Sequence, residues 1–214
     1  MTKTRTKPAK APYHHGDLRK ALLEAAEQEL TEKGIEAFSL RGVAKRAGVS
    51  HAAPAHHFKD TSALLTALAA LAAERFYTAM KDRQAQATPD PHAQFIASGL
   101  GYIDFALANP GLFKLMFGSE RPDSDDPELV RHATNGFMVL VKDVADMTAR
   151  NPLEHDDGRL DVAAAWSIVH GIANLLVAGR GFVLKPLLDR DRDATLERLI
   201  DRATPPSFRQ RQRK

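Results

Sequence analysis

Apolar residues recur at helical spacing through nearly all of the 214 residues, and strand-like alternation is almost absent. A chain patterned this way buries its apolar faces by packing helix on helix, so the expected fold class is all-α. Leu18, Leu22, Ala25, Ala26 and Leu30 form one stripe, with Asp17 as a cap candidate and Gly34 as the stop. Residues 61 to 82 read as a longer helix rich in Ala and Leu, followed by the loop "ATPDP" at 87 to 91. Residues 95 to 108 are helical until "NPG" at 109 to 111, and 113 to 117 form a short apolar helix. "SERPDSDDP", 119 to 127, has the composition of a mobile polar loop. Helices at 128 to 150, 159 to 179 and 193 to 203 complete the pattern, and no internal repeat is visible.

The length allows one large domain or two modest ones, with a sizeable core. Cysteine is absent, which removes disulfide and thiol chemistry and fits a reducing compartment. The basic N-terminus is not followed by the apolar stretch of a signal peptide, so a cytoplasmic location is expected. The run "VAAAWSIVHGIANLLVA", 162 to 178, sits at the lower limit for a membrane span and carries Ser167, His170 and Asn174. It reads as a helix buried on both sides, with no membrane partner. The net charge is only +3, but it is unevenly spread. Lys3, Arg5, Lys7 and Lys10 precede Tyr13 with no acid among them, and the last ten residues carry Arg209, Arg211, Arg213 and Lys214. Basic ends suit a polyanion; the C-terminal one reads rather as a solvated tail.

The stretch "SLRGVAKRAGVSHAAPAHHFKD", 39 to 60, holds two helical segments too short to be stable alone. Ser39 is an N-cap, and Phe38 with Val43 fits a hydrophobic staple. Gly48 stands where a left-handed glycine ends a helix, and Ser50 is placed to cap a second helix two residues later. A turn that short sets the two helices steeply apart, which is a helix-turn-helix. Val43, Ala44, Ala47 and Val49 can then face the stripe of the preceding helix. Pro54 falls in the first turn of the second helix, where its missing N–H costs little. The small residues Ala52, Ala53 and Ala55 permit close approach to a groove, and His51, His56 and His57 can donate to bases or phosphates. For His57, packing beneath the helix is an equal alternative. The pairs His14-His15 and His56-His57 are adjacent rather than four apart, so no metal site is expected.

At this point residues 13 to 68, "YHHGDLRKALLEAAEQELTEKGIEAFSLRGVAKRAGVSHAAPAHHFKDTSALLTAL", resemble the DNA-binding domain of the tetracycline-repressor (TetR) family. Downstream, "WSIVHG" with Trp166, His170 and Gly171 is similar to a ligand-domain subgroup named for its tryptophan, histidine and glycine. The resemblance implies an all-helical homodimeric transcription regulator, usually a repressor, with a small-molecule site in its C-terminal part. Its domains would be a basic arm (1–12), a DNA-binding domain (13–70), a ligand-binding and dimerisation domain (71–204) and a basic tail (205–214). Two departures stand out. Ala55 replaces a common aromatic and Thr61 a common lysine, both phosphate contacts in the family. The arm, Lys3, Arg5, Lys7 and Lys10, is expected to replace those contacts. With Tyr13, Arg41, Lys45, Ser50, His51, Ala52, Ala53, Ala55, His56, His57, Lys59 and Thr61 it makes up the expected DNA-binding set.

In the back half, Phe105, Phe113, Met116, Phe117, Phe137, Trp166 and His170 are the candidate ligand-binding residues for a largely apolar effector. Trp166 and His170 lie one helical turn apart, and a histidine in so apolar a helix needs a hydrogen-bond partner. It is either a core histidine or a polar handle for a ligand. The helices at 159 to 179 and 193 to 203 are the expected dimer face. No cofactor is implied. The expected function is a ligand-released repressor on a palindromic operator of double-stranded DNA. The alternatives are a ligand-independent or activating regulator and, more distantly, an enzyme using His170 as base. His170 has no nucleophile or carboxylate pair beside it in the sequence.

Overall fold

The computed structural model describes residues 15–204 and 208. Among them the chain forms nine α-helices and no strand. They are α1 (His15–Lys33), α2 (Leu40–Arg46), α3 (Thr61–Gln86), α4 (Pro91–Ala108), α5 (Pro110–Gly118), α6 (Pro127–Thr148), α7 (Asp156–Val177), α8 (Lys185–Leu188) and α9 (Arg192–Ala203). The all-α class expected from the spacing is the observed one. The helix starts are set by carboxylates: Asp60, Asp90, Asp126 and Asp191 each accept a backbone N–H of the first turn. Pro91 and Pro110 open α4 and α5, where the missing N–H has no partner to lose. α1 begins at His15, so Asp17 lies inside its first turn rather than ahead of it.

α3 runs unbroken from the front of the molecule into the back and packs on α1, α4, α5 and α6. One continuous core follows it, from Leu22 and Leu65 at the front to Val144 and Ile200 at the back. α3 and α4 cross very closely at Gly101, where a Cβ would stand 2.4 Å from the Ala79 carbonyl oxygen. α9 turns Leu196 and Ile200 inward, so its apolar side is used within the chain.

α7 departs from expectation. It buries Val162, Ala165, Val169, Ile172 and Ala173 but leaves Leu160 and Leu175 exposed. α3 and α7 are both long and apolar enough to cross a membrane by length and composition, yet the most apolar window of α3 is 56% buried and that of α7 only 28%. The run was expected to be buried on both sides. Within one chain it is covered on one side only, because α4 and α6 pack against the same half of it.

Candidate nucleic-acid face and internal cavity

The front is built from α1, α2 and the turn that follows. The Ser39 hydroxyl accepts the Gly42 N–H at 3.1 Å, and Phe38 and Val43 are both buried. Gly48 has φ +68°, and the Val49 N–H returns to the Ala44 carbonyl at 3.0 Å. The second element differs from the expected α-helix. It is a single 3-10 turn, Ala53–His56, and the Ser50 carbonyl, not its side chain, takes the Ala53 N–H at 3.0 Å. Pro54 explains the change. It has no N–H to donate in an α pattern, and it pushes the residue before it away from α geometry. Its own carbonyl accepts from His57 and Phe58, and both Pro54 and Phe58 are buried. The guanidinium of Arg19 covers the Phe58 ring at 5.6 Å.

Anchored this way, the turn leaves His51, Ala52, Ala55 and His56 exposed, together with Arg41, Lys45, Ser50 and Lys59. Ala53, His57 and Thr61 are half-buried. Arg46 is differently placed: it binds Glu29 at 3.0 Å and Glu32 at 2.6 Å, which raises its own pKa and lowers that of Glu32. Lys3, Arg5, Lys7, Lys10 and Tyr13 lie outside the described residues, as does most of the basic tail. Among the described residues no group of three His, Cys, Asp or Glu side chains is placed to hold a metal ion.

At the back, helices α3 to α7 surround a cavity of about 370 Å³. Its wall carries six aromatic rings, those of Phe76, Phe95, Tyr102, Phe117, Phe137 and Trp166, with Met80 and Met116. Of the candidate ligand residues, Met116, Phe117, Phe137 and Trp166 line it. Phe105 and Phe113 stand behind that wall, edge-on to Phe76 at 5.5 Å and against Phe117 at 5.1 Å. Phe137 and Trp166 are 38% and 42% exposed, so the mouth opens between α6 and α7.

His170 reaches the cavity through a residue that sequence reasoning missed. The Tyr102 hydroxyl lies 2.7 Å from His170 Nδ1. Burial pushes the Tyr102 pKa well up and lowers that of His170, so near neutral pH both groups are uncharged. The one phenol hydroxyl in the apolar α4 was the available signal, because such a group needs a partner when buried.

A second polar group was also missed. Asp143 is 3% exposed; Gln84 Nε2 donates to it at 2.8 Å and the Ser98 hydroxyl at 2.5 Å. Burial pushes its pKa up to about 6 against the pull of those two hydrogen bonds. Asp143 sits on the stripe Gly136, Val139, Asp143, Met147, all buried, and this helical spacing could have marked it. Ser98 also lines the cavity.

The loop between α5 and α6 is tied down, contrary to its composition. Arg121 Nη1 donates to the Ile35 carbonyl at 2.5 Å, Ser62 Oγ donates to the Arg121 carbonyl at 2.7 Å, and the Asp123 N–H donates to Thr66 Oγ1 at 2.8 Å. Met116 and Phe117 of the cavity wall therefore lead directly into a segment bound to the front of the molecule. Arg75 of α3 adds a link to Glu27 of α1 at 2.8 Å.

Comparison with known proteins agrees with this geometry. Residues 22–68 match the bacterial regulatory proteins of the tetR family, and 95–203 match the tetracyclin repressor-like C-terminal domain. The HTH-type transcriptional regulator BetI of Yersinia pestis is 30% identical over 114 residues, which are 53% of this chain and 58% of that relative. The chain thus spans little more than half the length of that relative. A solved structure from Rhodococcus sp. RHA1, described as a protein with unknown function, is 32% identical with a TM-score of 0.73 and covers 94% of this chain and 98% of its own. A TetR family transcription regulator from Marinobacter aquaeolei VT8 shares the fold at 18% identity, with a TM-score of 0.64 over 88% of this chain and 94% of its own. The chain belongs to the TetR family of bacterial regulatory proteins.

Proposed function

We propose that the protein is a homodimeric, cytoplasmic repressor that holds a palindromic operator and is released from it by a small molecule in the α3–α7 cavity. The observation that carries this reading is the tether from cavity wall to DNA-binding front. A ligand between Met116, Phe117 and Trp166 displaces α5, and Arg121 passes that movement to the loop that carries Ile35 between α1 and α2. The front, residues 13–70, reads DNA with His51, Ala52, Ala53, Ala55 and His56 in the groove. Arg41, Lys45, Lys59 and the N-terminal arm lie along phosphate, with Tyr13, Ser50, His57 and Thr61 at the edges. The back, residues 71–204, binds the ligand and the second copy. The exposed apolar side of α7, with Leu160 and Leu175, is the surface for that copy, and nothing lies within 4 Å of a Cβ at Gly171 to obstruct a close crossing.

The cavity binds rather than catalyses in this reading, since its polar groups are already engaged with one another. Footprinting should show paired half-sites about 34 to 36 Å apart or a multiple of that. Arg121→Ala should keep both DNA and ligand affinity but lose ligand-driven release. Protection of a single unpaired half-site, or full release in Arg121→Ala, overturns the reading.

A further inference from the structure

The cavity wall is chemically one-sided. Among the described residues no lysine or arginine lines it. The Ser98 hydroxyl has one proton, and its acceptors, the Asp143 carboxylate at 2.5 Å and the Phe95 carbonyl at 2.9 Å, both belong to the protein. What Ser98 shows the cavity is therefore an oxygen lone pair. The Tyr102 hydroxyl already has a protein partner in His170 Nδ1 at 2.7 Å. The six rings add faces that carry the negative part of their quadrupoles.

Behind Ser98 lies Asp143, whose hydrogen-bond partners Gln84 and Ser98 are both neutral donors. The charged groups near it are Lys81 from α3 and Lys142 and Asp146 from α6. All three are solvent-exposed, Lys142 is paired with Asp146, and water screens their fields. Asp143 itself lines a separate, shallower groove with Lys81 and Lys142, and on the other side only the Ser98 hydroxyl stands between its carboxylate and the ring cavity. A buried negative charge without a cationic contact is costly, and a positive charge placed on that side relieves the cost.

We propose that the effector is a cationic amphiphile, an apolar body among the rings with one ammonium end set against Ser98 and the field of Asp143. This rests on the reading of the cavity as the effector site. A carboxylate-ended ligand meets the neutral donors Thr134 and Trp166 but no cation, with Asp143 behind Ser98 to repel it, and a neutral one leaves Asp143 as it was.

Trp166 is the chain's single tryptophan and stands at the cavity mouth, so its fluorescence reports occupancy. Decylammonium, decanol and decanoate, titrated below their aggregation limits, vary the charge on one chain length. Decylammonium should bind about tenfold tighter than decanol, with decanoate weakest. In Asp143→Asn the margin over decanol should shrink to about twofold or less, while decanol affinity stays near that of the natural chain. In the unaltered protein, carboxyl NMR should show decylammonium drawing the Asp143 titration midpoint below about 6 and decanol failing to do so. Decanol or decanoate matching decylammonium overturns the charge assignment while leaving the effector site intact. So does a margin that survives in Asp143→Asn, or a midpoint that decylammonium leaves in place. If none of the three perturbs Trp166, the effector-site reading falls with it.

Discussion

At the front, Arg46 meets the buried Glu29 and the exposed Glu32 on α1, so the one buried carboxylate there is paired with an opposite charge. At the back, Asp143 is buried with two neutral donors, and Tyr102 and His170 satisfy each other beside a cavity. The front keeps its polarity on the outside, apart from the paired Glu29, and spends its buried volume on Leu22, Val43, Leu64 and Leu65. The back places polar groups inside and keeps an empty volume among rings. A surface that reads a polyanion can be built on a fully packed core. A volume that binds a small molecule cannot, and its polar lining must be held by hydrogen bonds prepared in advance.

The sharpest way to test this contrast is to titrate the back. Folded Asp143 keeps its proton up to about pH 6, whereas the ordinary aspartate value is 3.8. Between those values the folded protein binds more protons than the unfolded chain. The stabilising effect is therefore complete below the lower value and is lost as pH rises through the upper one, by roughly 3 kcal/mol. Urea unfolding of the natural chain and of Asp143→Asn across that window should diverge by this amount, the natural chain losing stability relative to the variant as pH rises. Parallel curves would show that Asp143 is not an internal charge.

A smaller effect is expected at Tyr102. Tyr102→Phe leaves His170 Nδ1 without its partner, at a cost of about 1–3 kcal/mol in a thermal melt. DNA affinity should stay within a few-fold of the natural chain, since the change lies in the back. Loss of DNA binding at equal foldedness would blur the division between the two regions.

The smallest effect is expected at the front. Gly48→Ala places a side chain at φ +68° and should cost about 1 kcal/mol, with no clash because nothing lies within 4 Å of the added Cβ. It should nevertheless weaken operator binding more than Tyr102→Phe does, because Gly48 sets the angle between α2 and the recognition turn. Mobility shifts on both variants decide the order.

Legibility followed the same division. The cap at Ser39, the left-handed Gly48 and the buried Val43 and Ala44 were readable because each depends on neighbours a few residues away. The 3-10 form of residues 53–56 was not read, although Pro54 carried the signal, since a capping serine at Ser50 competes with it on paper. Met116, Phe117, Phe137 and Trp166 could be named as apolar and aromatic. That they share a wall while Phe105 and Phe113 stand behind it is a matter of how α3 to α7 cross.

Sequence by itself determined the all-α class, the helix-turn-helix and the exposed set around His51 and Lys59. These are properties of periodicity, caps and turns, which act over one or two helical turns. Only the tertiary structure decided the rest. It brought Gln84, Ser98 and Asp143 together from three helices, set Tyr102 on His170 across 68 positions of chain, and joined Arg121 to Ile35 across 86. Which faces meet is chosen by close packing, as at Gly101 against Ala79, and no local spacing encodes it.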